Sequence, residues 1–137
     1  KIANRKSVET IKDIRGIRKN VSQYMQSDNQ YIQNEYDRLR RKVLRVLREL
    51  YEIQTDETPE VHLGHLETLK EKAKKSDVLI DGTLDKLIRE QKITSAMATS
   101  LANDSANVAN ITKRLFETAE LLYINSDTLL GEEEEES

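Results

Sequence analysis

ITSAMATSLANDSANVANITKRLFETAELLYIN, residues Ile93–Asn125, is the stretch whose reading decides the fold. Its large apolar residues fall at Met97, Leu101, Val108, Ile111, Leu115 and Leu122, with Ala119 filling in. Steps of three, four and seven make the stripe of an amphipathic helix that faces a core. The stripe has one gap, at Asp104–Ser105. Around it the surface is small and polar, with Ala98, Ser100, Ala102, Asn103, Ala106, Asn107 and Ala109. A neighbour can approach such a helix closely, and a carboxylate on its seam needs a partner. Asp104 is therefore expected either at the solvated edge of the core or at a binding site. Unless an ion binds there, Asp104→Asn is expected to be neutral or stabilising.

Outward from this helix, composition says the same thing. One Pro, four Gly, one Phe, no Trp and 34% charged residues in 137 describe a helical bundle better than a sheet protein. No run alternates strictly between apolar and polar, so no strand is expected. The absence of cysteine excludes disulfides and Cys-based metal sites. No apolar run approaches 18 residues, and no signal peptide is evident. The chain starts without Met and in the middle of a periodic pattern, as expected of a piece of a longer protein.

Three more helices precede the deciding one. Residues 2–26 carry Val8, Ile11, Ile14, Ile17, Val21 and Tyr24/Met25 on one stripe. Ser27-Asp28-Asn29, all N-cap formers, then predict a turn. The alternative is one continuous helix with Asp28 on its seam. Residues 29–54 have the cleanest pattern, a heptad seam of Ile32, Tyr36, Leu39, Val43, Val46/Leu47, Leu50 and Ile53. Thr55–Pro59 is a break, with Thr58 placed to cap a third helix and Pro59 at its first position. That helix is expected to reach about Gln91 through Leu63, Leu66, Leu69, Ala73, Ile80, Leu84 and Leu87/Ile88, with a kink or short break near Gly82. Thr94 or Ser95 caps the fourth. The expected fold is an all-α, up-and-down antiparallel bundle of four helices, or three if the first two fuse, spanning 1–130. Residues 131–137, with the run Glu132–Glu136, are expected to form a disordered, solvated acidic tail or, failing that, an interaction tail.

Charge is unevenly shared. Residues 1–53 hold 13 Lys/Arg against 7 Asp/Glu, whereas 54–137 hold 9 against 18. Arg38, Arg41, Lys42, Arg45 and Arg48 share the face of the second helix opposite its seam. Such a face is ordinarily solvated; its sharper reading is a basic stripe for an anionic membrane surface or an acidic partner. Nucleic acid is not expected, because the chain is acidic and lacks an aromatic platform.

Asp77, Asp81 and Asp85 recur every four residues and would stack along one face of the third helix. Counted outward from the turn near residues 92–93, Asp81 and Asp104 lie at similar depth on adjacent antiparallel helices. Asp77, Asp81 and Asp104 are thus candidate ligands for a divalent metal, since oxygen donors from facing helices suit hard cations. The competing reading is an acidic face neutralised by neighbouring lysines. His62 and His65 are the only histidines and are expected near the surface. No phosphate loop, nucleophilic Cys or Ser/His/Asp set is present, and no enzyme or cofactor is expected.

Two stretches carry a family resemblance. They are Ile17–Leu50, IRKNVSQYMQSDNQYIQNEYDRLRRKVLRVLREL, and Leu84–Phe116, LDKLIREQKITSAMATSLANDSANVANITKRLF. Together they resemble the cytosolic C-terminal region of bacterial sodium/phosphate cotransporters, a PhoU-like helical bundle, and KITSAMATSLANDSANV is the most telling part. The resemblance implies a regulatory or assembly domain in phosphate uptake, on the cytoplasmic face of the bacterial inner membrane. Its implied partners are the transmembrane part of the same polypeptide and a second copy of the domain. PhoU proteins carry an acidic pair four residues apart that can hold metal clusters. Here Asp104 keeps the second carboxylate, and Ser100 stands where the first would be.

Overall fold

The computed structural model describes residues 2–55 and 59–136, and the side chains of 12–55 and 64–122. Thr58 and the side chains of Val8, Ile11, His62 and Leu63 lie outside the described residues. Among the described residues five helices and no strand are present. They are α1 (Ile2–Met25), α2 (Gln30–Thr55), α3 (Pro59–Lys75), α4 (Thr83–Arg89) and α5 (Ser95–Glu136). The protein is an all-α bundle, and α1 and α2 are separate helices.

The breaks have local causes. Asn29 caps α2, its side-chain oxygen accepting from the amides of Tyr31 (3.0 Å) and Ile32 (3.1 Å). Thr94 caps α5 through the Met97 amide at 3.2 Å. The helix expected over 59–91 is interrupted, and the interruption begins earlier than Gly82. From Ser76 to Gly82 the chain makes turns: the Asp77 carboxylate takes the Leu79 amide (3.1 Å) and the Asp81 carboxylate takes that of Thr83 (2.9 Å). Short Asp side chains that capture a backbone amide two residues on offer the chain an alternative to helix. Gly82, at φ 82°, completes the turn in a conformation that favours glycine.

Hydrogen bonds fix the directions of the helices. The Asn29 side chain donates to the Lys92 carbonyl at 2.8 Å, and Tyr36 reaches Asp104, so α2 and α5 start side by side and run the same way. Lys70 pairs with Glu120, whereas Val78, eight residues on, meets Ser105, so α3 runs against α5. Asn20 of α1 meets Asp104, while Met25 packs at the same end as Ile93, so α1 also opposes α5. The order is up, down, up, down, with α4 as a short piece at one end. At 42 residues α5 is about 63 Å long and is the spine of the bundle. It remains helical through Glu136, so the backbone of the expected tail continues the helix. Glutamate is a good helix former, and no Pro intervenes.

Two hydrophobic clusters lie along α5. The first joins Ile32, Tyr36 and Leu39 of α2 with Val78, Leu84, Leu87, Ala98, Leu101 and Val108, and Ile17, Val21, Tyr24 and Met25 of α1 pack against it. The second joins Val46 and Ile53 of α2 with Leu66 and Leu69 of α3 and Phe116 of α5. The buried line on α5 is Leu101, Asp104/Ser105, Val108, Thr112, Phe116. The expected continuation through Ile111, Leu115 and Leu122 is displaced by one position: Leu115 and Leu122 are exposed and Phe116 is buried. The largest apolar side chain of that turn takes the inward position, because burial scales with apolar area. On α2, Val46 rather than Leu47 is buried, and Val43 is exposed. Ile80 and Ile88 also face outward, while Val78, not assigned to the core from sequence, is buried. No helix among the described residues is long and apolar enough to cross a membrane.

Candidate functional site

The polar gap in the α5 stripe lies on the buried seam. Asp104 is 4% exposed. Its carboxylate accepts from the Tyr36 hydroxyl at 2.5 Å, the Asn20 amide at 2.8 Å and, more distantly, the Ser100 hydroxyl at 3.5 Å. Tyr36 stacks on Tyr24 with ring centroids 4.8 Å apart. Burial, and then the hydrogen bond to Asp104, raise the Tyr36 phenol well above its ordinary value, so it stays a donor at any physiological pH. Asp104 is thus neither solvated nor vacant: it ties α1, α2 and α5 at one level.

Ser105 does the same for the connection after α3. Its hydroxyl donates to Asp77 at 2.9 Å and accepts from the Val78 amide at 3.1 Å. Asp77, 9% exposed, therefore holds two donors, Ser105 and the Leu79 amide. These bonds anchor an irregular segment whose backbone groups need partners once buried.

Below this segment a cleft of about 180 Å³ opens between α2, the end of α3 and the middle of α5. Apolar walls come from Leu39, Val46, Leu69, Val108 and Phe116. Its polar border holds Lys42, Arg45, Glu49, Lys72, Ser76 and Thr112, with Asp77 and Ser105 at the edge. The Lys42 ammonium donates to the Ser76 carbonyl at 2.5 Å. Burial, and then the positive charge of Arg38, lower the Lys42 ammonium from its ordinary value, while Asp81, Glu35 and Asp77 oppose the shift.

The three candidate metal ligands are not brought together. The expected stacking of Asp77, Asp81 and Asp85 required one continuous helix, and α3 ends at Lys75. Asp77 turns to Ser105, Asp104 to Tyr36 and Asn20, and Asp81 to the Arg38 guanidinium at 3.6 Å. Burial raises the Asp81 carboxyl, but the Thr83 hydrogen bonds and the charges of Arg38 and Lys42 outweigh it and hold it below its ordinary value. Among the described residues no three His, Asp or Glu side chains gather where they could hold a metal ion. His65 is exposed.

The basic stripe of α2 is divided. Arg38 bridges Glu35 (3.1 Å) and Asp81, and Arg41 pairs with Asp37 at 2.8 Å. Lys42 and Arg45 border the cleft, and Arg48 stays exposed. Sequence reasoning passed over Asn20 and Thr112, named Ser105 only as half of the polar gap, and placed Tyr36 only as a seam residue. The available signal was a tyrosine on the seam of one helix facing a polar gap in another. No family model, curated protein or solved structure matches the chain.

Proposed function

We propose that the chain is a non-catalytic, PhoU-like regulatory or assembly domain of a bacterial sodium-dependent phosphate symporter, on the cytoplasmic face of the inner membrane. It acts through helix contacts with the transmembrane part of the same polypeptide and with a second copy of itself. The observation that carries this reading is the outer face of α2. Val43, Leu44, Leu47 and Tyr51 form one uncovered apolar stripe there, with Leu44 57% and Tyr51 67% exposed. Such a stripe on a bundle whose seam is already filled is a contact surface. Arg41 and Arg48 beside it suit an anionic membrane or acidic partner. The resemblance of Ile17–Leu50 and Leu84–Phe116 to the cotransporter domains supports the transport assignment, and these stretches meet at Tyr36 and Asp104.

Phosphate uptake by the whole transporter and by one truncated before Lys1 tests the reading. Truncation should alter how uptake responds to external phosphate while leaving transport itself intact; identical curves would overturn the assignment. A second reading, a stand-alone helical adaptor, draws on the same exposed face. In either case Leu44→Glu with Leu47→Glu should leave helical content unchanged and shift sedimentation toward the monomer. Unaltered sedimentation would remove self-association from both.

A further inference from the structure

The cleft between α2, the end of α3 and the middle of α5 holds a buried hydroxyl without a partner among the described residues. The other buried polar side chains of α5 have partners, Asp104 with Tyr36 and Asn20, and Ser105 with Asp77. Thr112 is 5% exposed and borders the cleft, yet its hydroxyl makes no hydrogen bond with any described residue. A helical threonine ordinarily donates to the carbonyl four residues earlier. Thr99 does so to Ser95 at 3.0 Å and Thr118 to Arg114 at 2.8 Å. Thr112 does not, although burial penalises an unpaired hydroxyl.

Charge at the mouth points the same way. Arg45 and Lys72 are exposed there and make no ion pair with a described residue. Lys42 spends one of its three protons on the Ser76 carbonyl. Two carboxylates border the same space, Glu49 and Asp77, and Asp77 is already occupied by Ser105 and the Leu79 amide. Three cations therefore face two carboxylates, and the mouth carries a net positive charge, because the neutral donors on Asp77 leave its own charge in place.

We propose that this cleft binds the phosphate group of a small ligand. Arg45 and the ammoniums of Lys42 and Lys72 take its oxygens at the mouth, and the Thr112 hydroxyl takes one at the floor. A tetrahedral oxyanion accepts hydrogen bonds in several directions at once, which suits donors arriving from three helices. About 180 Å³ accommodates such a group together with ordered water. The proposal rests on the cleft alone and is independent of the transporter assignment.

The test is an NMR titration of the 137-residue chain with inorganic phosphate at constant ionic strength, with chloride as the control and phosphatidylglycerol vesicles as a second arm. Saturable shifts confined to the amides around Ser76, Ser105 and Thr112 are expected. Arg45→Ala and Lys72→Ala, both at exposed positions, should keep the native spectrum and bind about tenfold more weakly. Thr112→Val, which fills the same space without the hydroxyl, should weaken binding in the same direction. Response of these amides to the vesicles but not to free phosphate would identify a lipid headgroup as the source and sustain the proposal. Shifts that do not saturate in either arm, that chloride reproduces, or that all three variants leave unchanged would overturn it.

Discussion

At Asp104 a carboxylate that looks like a fault in an apolar stripe is a buried junction. Tyr36, Asn20 and Ser100 all donate to it, from α2, α1 and α5. All three bonds end on the same carboxylate oxygen, so an asparagine whose Oδ1 takes that place keeps every acceptor role and loses only the charge. Asp104→Asn should therefore change stability by less than about 1 kcal/mol, whereas Tyr36→Phe, which removes a buried hydrogen bond to a carboxylate, should destabilise the fold by about 1–3 kcal/mol. Urea unfolding measures both, and a Tyr36→Phe midpoint equal to wild type would contradict the junction. Thr112→Val goes the other way. It removes a buried hydroxyl that has no partner among the described residues, so without ligand it should raise stability by roughly 0.5–1 kcal/mol.

The element whose ends are most sharply defined is α4. Its C-terminus is a two-bond cap, with the Lys92 amide donating to the Leu87 carbonyl at 3.0 Å and the Gln91 amide to the Ile88 carbonyl at 3.1 Å. This cap requires left-handed backbone at Gln91, where φ is 54°. A side chain there costs about 1 kcal/mol relative to glycine, so Gln91→Gly should raise the melting temperature. Gly82→Ala, at φ 82°, should lower it for the same reason. A Gln91→Gly protein that melts earlier than wild type would show that the cap is not formed this way. The turn before Thr83 was legible as a break near Gly82. Its start at Ser76 was not, because the Asp77–Ser105 bond that holds it open joins residues 28 positions apart.

Across the whole molecule, the Arg38–Asp81 pair links α2 to the connection between α3 and α4. The Asp81 carboxyl is held below its ordinary value in the folded chain. Its contribution to stability is therefore complete above about pH 4, the unfolded value, and is lost as pH falls through the lower folded value. Asp81→Asn should unfold more readily than wild type at pH 7, with the gap closing under acid. Because the pair is partly exposed, the effect at neutral pH should be at most about 1 kcal/mol and should shrink in high salt. Urea midpoints at pH 7 and pH 3 measure it, and a gap independent of pH would show that the charge of Asp81 contributes nothing to stability.

Sequence alone determined that this protein is helical and where α2 and α5 begin, because periodicity, N-cap residues and the absence of alternating runs act locally. It also placed Ile32, Tyr36, Leu39, Leu66, Leu84, Leu101 and Val108 in the core, since a heptad stripe has only one face to bury. Tertiary packing decided the rest. Phe116 displaced Leu115 from the seam, Val46 was chosen over Leu47 from the pair the stripe offered, and the three aspartates parted to separate partners. Neighbouring positions on a helix differ by about 100°, so a stripe read from sequence is uncertain by one residue until a second helix presses on it. Likewise, a carboxylate carries no mark of its partner. Only the approach of another helix settles whether it meets a cation, a hydroxyl or water.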